Sequence, residues 1–242
     1  VGVLGYDFDW GVLWRAPYGH LLMKGVWTTL HLSLGAWILA VLVGLTVGVL
    51  RVLPGRGWRL LGAAYVEVFR NTPLLVHLFF WYFAAPLLLG PAQVRLYDYV
   101  EDYGYFAGIL GLGTYTASRV AEQFRAAFLS IPPDQYHAAY ATGLRTAQVY
   151  RYVIVPYAFR LILPAFTTEF LTCFKNSALT MTIGVMETTH AAYYIDSFTW
   201  HGLETTTAAS LVYLTISGAV IGSMGLFEKR LRIHGMIARS GA

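Results

Sequence analysis

The sequence predicts an all-α integral membrane protein with five transmembrane helices, and three observations carry that expectation. Of its 242 residues, 57% are hydrophobic and only 12% charged, against about 25% charged in an ordinary globular domain. Two segments, His31 to Leu50 and Thr205 to Phe227, contain no Asp, Glu, Lys or Arg, and a bilayer core about 30 Å thick needs roughly 20 apolar residues in helical form. Finally, the basic residues gather in alternate connections, the pattern that marks cytoplasmic loops.

Residues 1–23 are rich in Trp and Tyr and are expected to lie along the outer interface, where amphipathic rings are favoured. No n-region, h-region and cleavage site precedes the first span, so a removable signal peptide is not expected. The first span, His31 to Leu50, is followed by Arg51, Arg56 and Arg59. The second, Leu60 to Gly90, carries Glu67 and Arg70, then runs uncharged from Asn71 through Pro73 and Pro86. An outer loop with Arg95, Asp98, Glu101 and Asp102 leads to the third span, Tyr103 to Ser118, which runs on into Arg119, Glu122 and Arg125.

Ser130-Ile131-Pro132-Pro133-Asp134 then breaks the chain. Pro suits a first helical turn and Gly a position just past a helix end, so a short helix is expected over about 133–143, closed by Gly143. Ala138 and Ala139 give it a face of little bulk, and Arg145, Arg151 and Tyr150 suit a collar that faces the membrane or a partner. Pro156 starts the return into the bilayer. The fourth span, Leu161 to Met186, is interrupted by Glu169, Lys175 and Asn176, and an outer loop with Glu187 and Asp196 precedes the fifth. Lys229, Arg230, Arg232 and Arg239 follow it. The count of basic residues places the N-terminus outside and the C-terminus in the cytoplasm. No internal repeat or linker divides the chain: one membrane domain is expected over 24–232, with a cytoplasmic tail over 233–242.

Several chemistries lack their residues. The single Cys173 forms no intrachain disulfide, no metal-ligand spacing is present, and His31, His77, His190 and His201 show no paired spacing with acids. Gly-x-Ser-x-Gly, HExxH and phosphate-binding Gly loops are missing. An intramembrane enzyme would need a nucleophile and base at matched depth, and a secondary transporter or channel would predict inverted repeats or broken helices in matching halves. Nothing suggests a nucleic-acid partner.

Ionisable residues at membrane depth cost about 2.5–3.5 kcal/mol each on insertion scales and normally face a protein interior or a cavity. Glu67/Arg70 and Arg119/Glu122 are each spaced i, i+3, so each pair can meet on one helix face. Arg119 also offers a guanidinium fork of the kind that binds a carboxylate bidentately. Lys175 can meet a carboxylate of a bound molecule or pair with Glu169 or Asp98. Thr172, Thr180 and Thr182 either line a pathway or bond their own backbone.

The run His137-Ala138-Ala139, three residues, Gly143, nine residues, Val153-Ile154-Val155-Pro156 resembles the EAA signature of ABC importer permeases (Glu-Ala-Ala, x3, Gly, x9, Ile-x-Leu-Pro). Arg70-Asn71-Thr72-Pro73 matches an Arg-x-Thr-Pro motif of the same proteins. The stretches Tyr65–Phe83, Arg119–Gln135, Tyr150–Pro164 and Phe174–Thr188 look like the polar amino acid uptake branch (histidine, glutamate and glutamine permeases), and closest to its glutamate/aspartate type. The resemblance covers about Trp27 to Arg232. It implies the type I (MetI-like) importer fold in a bacterial inner membrane. It also implies a second permease subunit, identical or homologous, two ATP-binding subunits that hold ATP and Mg, and an external substrate-binding protein. This chain then needs no cofactor and is no enzyme; it carries an acidic amino acid, or alternatively glutamine, a basic or a broad range of amino acids.

By the same resemblance, Tyr136, His137, Ala138, Ala139, Gly143 and Arg145 belong to a coupling helix that docks in a cleft of the ATPase. Arg119, Arg70, Lys175, Asn176 and Glu122 are the candidate substrate-pathway residues. Thr72, Pro73, Pro156, Glu67 and Glu169 are motif or structural positions. His137 stands where the signature has Glu, so the usual ion pair to the ATPase is replaced at best by a hydrogen bond.

Overall fold

The computed structural model describes residues 6–53, 55–90 and 102–231. Arg95, Asp98, Glu101, Arg232, Arg239 and the tail over 233–242 lie outside the described residues. No strand occurs among the described residues. A one-turn 3-10 helix, Trp10–Trp14, leads into α1, Tyr18–Val52, which starts ahead of the expected boundary at residue 24. The other helices are α2 (Arg56–Asn71), α3 (Leu74–Phe79), α4 (Tyr103–Leu129), α5 (Pro133–Ala141), α6 (Thr146–Val149), α7 (Val155–Asn176), α8 (Thr188–Thr199) and α9 (Gly202–Leu231). Among the described residues, three helical runs are long and apolar enough to cross a bilayer: Tyr18–Val52, Thr146–Ile183 and Gly202–Phe227.

Two expectations change here. The second span is not one helix: Arg56–Asn71 and Leu74–Leu89 meet at 103° across Thr72-Pro73. The connection expected on the outer side, holding Glu187 and Asp196, is not a loop but α8, whose N-terminus is capped by the Glu187 carboxylate on the amides of Thr189 and His190.

The bundle is organised around α4, which packs along α1. Without a hydrophobic drive between helices in lipid, close approach comes from small residues. Ala36, Ala40, Gly44 and Gly48 on α1 are buried at four-residue spacing and face Gly113, Ala117, Val120 and Phe124 of α4. The approach is tight: a Cβ on Gly44 would lie 2.7 Å from the Val120 side chain and 2.8 Å from the Ala117 carbonyl oxygen. The main core joins Leu32, Leu74, Leu78, Leu112, Cys173 and Ile183 from four regions of the chain.

Prolines shape two of the helical runs. Pro86 and Pro156 each follow a one-turn π-helix, Phe80–Ala84 and Tyr150–Ile154. A proline ring clashes with the carbonyl four residues back and donates no hydrogen bond. The turn before it widens, so that Ala85 N–H donates to Phe80 O and Val155 N–H to Tyr150 O, each five residues back. At Pro156 this keeps α6 and α7 in one continuous helical run instead of ending it.

Candidate functional site

The region between α4 and α7 is a compact elbow with a core of its own. Helix α5 begins at Pro133, carries Asp134 in its first turn, and ends where Gly143 N–H donates to Tyr140 O at 2.9 Å. Gly143 sits at φ +82° with nothing within 4 Å of where a Cβ would stand. Backbone conformation, not space, calls for glycine there. Ile131, Ala139, Val149, Ile154 and Ala158 form the buried centre, with Phe128, Tyr136 and Tyr157 packed on it. The Tyr150 ring stacks on Phe128 at 6.3 Å and meets Tyr136 edge-on at 6.2 Å.

This corrects the reading of the two alanines as one outward face. Successive helix residues point about 100° apart: Ala138 and His137 are exposed, whereas Ala139 is buried against the elbow's own core. Tyr136 likewise packs inward. Arg145 is exposed; its N–H donates to the Gln148 side chain at 2.9 Å and so starts α6.

The break at Thr72-Pro73 is satisfied by side chains. Pro73 cannot donate to Phe69 O, and His77 Nε2 supplies that hydrogen bond instead at 3.2 Å. Thr72 Oγ1 donates to Val68 O at 2.7 Å, and Asn71 Nδ2 to Glu67 Oε2 at 2.8 Å. Tyr65, Phe69 and His77 stack in series and tie the corner to α4 through Tyr115 and through Tyr65 Oη donating to Thr114 O at 2.8 Å. The expected Glu67–Arg70 pair does not form: Glu67 accepts from Asn71, and Arg70 is exposed with no ion pair among the described residues.

The Arg119–Glu122 pair does not form either, because each finds a better partner on another helix. Arg119 donates from Nε to Glu169 Oε2 at 2.6 Å and from Nη2 to Glu169 Oε1 at 3.2 Å, joining α4 to α7. This side-on fork uses two of the five guanidinium donors and leaves the others off that carboxylate. Glu169 is 4% exposed and Arg119 37%. Glu122 takes hydrogen bonds from both Arg51 of α1 and Arg125 of α4. Lys175 therefore does not pair with Glu169; its other expected partner, Asp98, lies outside the described residues, and Lys175 stands exposed at the end of α7 beside half-buried Asn176. Thr172, Thr180 and Thr182 each bond a carbonyl of their own helix.

Sequence reasoning missed the roles of Arg51, Arg125 and His77. The signal for His77 was its place four residues after a proline that orphans a carbonyl. Two further buried acids fasten the opposite end of the bundle. Glu187 accepts from Tyr213 Oη at 2.9 Å, and Glu204 accepts from Tyr6 Oη at 2.5 Å and from Asp9 N–H at 2.7 Å. A cavity of ≈ 650 Å³ between α1, α4, α7 and α9 is lined by Trp37, Phe124, Phe159, Phe166 and Met224 and by no charged residue, so it suits hydrocarbon and not a polar solute. No group of three or more His, Cys, Asp or Glu that could hold a metal occurs among the described residues.

Comparison with known proteins agrees with this architecture. The chain is 40% identical to the glutamate/aspartate import permease protein GltJ of Escherichia coli (strain K12) over 242 residues, covering 96% of this chain and 98% of GltJ. A crystal structure of an amino acid ABC transporter with histidines superposes with a TM-score of 0.75 at 30% identity, covering 93% of this chain and 100% of that one. The MetNI methionine ABC transporter in inward facing conformations shares the fold, with a TM-score of 0.73 at 21% identity over 90% of this chain and 100% of that one. Over residues 40–233 the sequence matches the model of one family. The chain belongs to the binding-protein-dependent transport system inner membrane components and is a permease subunit of an ABC importer, not an enzyme.

Proposed function

We propose that this permease imports acidic amino acids, glutamate or aspartate, driven by ATP hydrolysis on separate subunits. The observation that carries the substrate is the 40% identity to GltJ along nearly the whole of both chains. In this reading the chain crosses the membrane five times, with its N-terminus outside and C-terminus inside. The crossings are α1, the bent pair α2–α3, α4, α7 and α9. Helix α4, with 27 residues, is about 40 Å long at 1.5 Å per residue, and its charges find partners inside the bundle. A second permease completes the pathway, two ATP-binding subunits with ATP and Mg lie beneath, and an external binding protein delivers the substrate.

Coupling follows from the elbow. Exposed His137 and Ala138 on α5 present a low face to an ATP-binding subunit, while Tyr136, Ala139 and the Gly143 turn fix α5 to the ends of α4 and α7. A push on α5 therefore moves both helices together, and the Arg119–Glu169 fork carries that movement deeper into the bundle. In this reading Arg119, whose guanidinium has donors that Glu169 does not take, is a candidate for the substrate carboxylate, and Arg70, Lys175 and Asn176 are the further pathway candidates. Glu122, held by Arg51 and Arg125, braces the pathway from behind.

The test is a pair of tryptophan variants in the importer assembled with its partner subunits and reconstituted in liposomes. Ala138→Trp should leave the permease folded but abolish capture of the ATP-binding subunit and uptake of tritiated aspartate. Ala139→Trp should lower the melting temperature of the permease itself. Full aspartate uptake by Ala138→Trp would sink the coupling assignment, and uptake of neutral but not acidic amino acids by the wild type would sink the substrate.

A further inference from the structure

The apolar cavity of ≈ 650 Å³ between α1, α4, α7 and α9 runs along the helices as a groove. Its α7 wall is the stripe Val155, Phe159, Phe166 and Phe170, about 22 Å long at 1.5 Å per residue. Its α1 wall runs from Leu34 to Leu45, about 16 Å. One leaflet of a bilayer core about 30 Å thick is about 15 Å deep, so the groove has the length of a single leaflet. Leu34, Val155 and Phe159 are exposed as well as lining it, which leaves the groove open sideways to lipid. Three of its four walls belong to the runs long and apolar enough to cross a bilayer.

The groove ends where basic residues begin. On α9 its wall is Val220, Ser223 and Met224. At 3.6 residues per turn, Arg230 stands on the face of Ser223 two turns on, about 10 Å nearer the end of the helix. On the other side the stripe of Val155 and Phe159 continues one turn back to Arg151, whose guanidinium lies 5.7 Å from the centre of the Tyr152 ring. At this end Phe124 and Phe128 line the groove from α4, and Phe128 stacks on Tyr150, the chain neighbour of Arg151. Arg51 and Arg125 are held by Glu122. Arg151 and Arg230 differ: both are exposed, and neither has an ion pair or a hydrogen bond with any described residue.

We infer that this groove holds one acyl chain of an anionic phospholipid, with the headgroup at the Arg151 and Arg230 end. Hydrocarbon matches walls that carry no charged residue, and guanidinium groups bind phosphate oxygens in a fork. Basic pockets beside membrane helices take anionic headgroups by the same attraction. A helix of a second permease laid in the groove would match its walls but gives no account of two free cations at one end. Apolar along its length and cationic at its mouth, the groove complements a lipid. The inference depends on α1, α7 and α9 crossing the bilayer and is independent of which solute the permease carries.

The test uses the importer assembled from this chain and its partner subunits, delipidated in detergent. Phosphatidylglycerol or phosphatidylcholine with the same acyl chains is titrated in, and native mass spectrometry reads the Kd of each. The two lipids differ in net headgroup charge and not in what they offer the groove. Phosphatidylglycerol should bind roughly tenfold more tightly, the contribution of two basic residues at the membrane surface. Joint replacement Arg151→Gln and Arg230→Gln should bring its Kd to that of phosphatidylcholine, which should not change. Joint replacement Arg151→Lys and Arg230→Lys keeps the charge and should keep most of the preference, which separates lost charge from lost fold. Ser223→Trp, at an exposed position of α9 that lines the groove, should weaken both lipids together. Equal affinity of the parent for the two lipids would overturn the headgroup assignment, and Ser223→Trp binding both as the parent does would overturn the groove. No lipid bound by the parent, with the two permeases separating in Ser223→Trp, would give the groove to the second permease and overturn the inference.

Discussion

The two ends of the Arg119–Glu169 fork should not be equally costly to remove. Glu169 is 4% exposed and Arg119 37%. Arg119→Ala strands a buried carboxylate, and losing the partner of a buried charge costs about 3–5 kcal/mol. Glu169→Ala strands a guanidinium that already reaches the surface of the bundle on a flexible stem and can turn its head towards polar surroundings. That cost falls to the loss of a charged hydrogen-bonded pair, about 1.5–3 kcal/mol, so Arg119→Ala should be the worse variant by about 2 kcal/mol. At about 2–4 °C per kcal/mol for a chain of this size, the apparent melting temperatures in detergent should differ by roughly 4–8 °C. Replacing both residues by Met removes the stranded charge and should restore most of the loss, because apolar substitutes for buried pairs are often neutral. Heating the purified variants and measuring the folded fraction by size-exclusion chromatography gives the order. Equal melting of the two single variants, or a double variant as unstable as Arg119→Ala, would show that the fork does not carry the α4–α7 contact.

His77→Phe keeps the stacking on Phe69 but leaves the Phe69 carbonyl without a donor, a loss of about 1–3 kcal/mol; His77→Gln, which retains an N–H, should recover part of the melting temperature, and equal loss in both variants would exclude the carbonyl cap. Gly143→Ala forces a Cβ onto a residue at φ +82° with no neighbour within 4 Å, so only backbone strain of about 1–2 kcal/mol should act. Gly143→Asn, which tolerates that conformation, should keep more aspartate uptake than Gly143→Ala; the reverse order would point to a steric need at the docking face.

Much of the fold was legible because lipid constrains sequence severely. Uncharged runs located α1 and α9, and Pro132-Pro133 with Gly143 bracketed α5 to within a residue or two. What stayed hidden was pairing between distant segments. Spacing of i, i+3 proposed Glu67–Arg70 and Arg119–Glu122, but that rule sees only one helix. A carboxylate gains more from a fork presented by a neighbouring helix, out of water, than from an adjacent turn, and so Glu169 and Arg51 displaced the local partners. The two alanines of α5 failed for a related reason: composition showed that both were small, and only the position of the elbow core showed which one faced inward. Helix α8 was hidden because its sequence is polar enough to read as a loop, and its start rests on a cap by Glu187, a buried carboxylate that also accepts from Tyr213 of the distant α9.

These ties bear on how such a permease can move. Arg51–Glu122–Arg125 locks α1 to α4, Arg119–Glu169 locks α4 to α7, and the elbow core locks α5 to both. Those helices form one stiff block, and a block held at three levels cannot open a path by sliding its own members past one another. The freedom must lie where ties are few. One such place is the corner at Thr72-Pro73, where two helical arms meet at 103° and side chains, not backbone ladders, close the last turn. The other is α9, whose most apolar stretch has none of its residues buried within the chain.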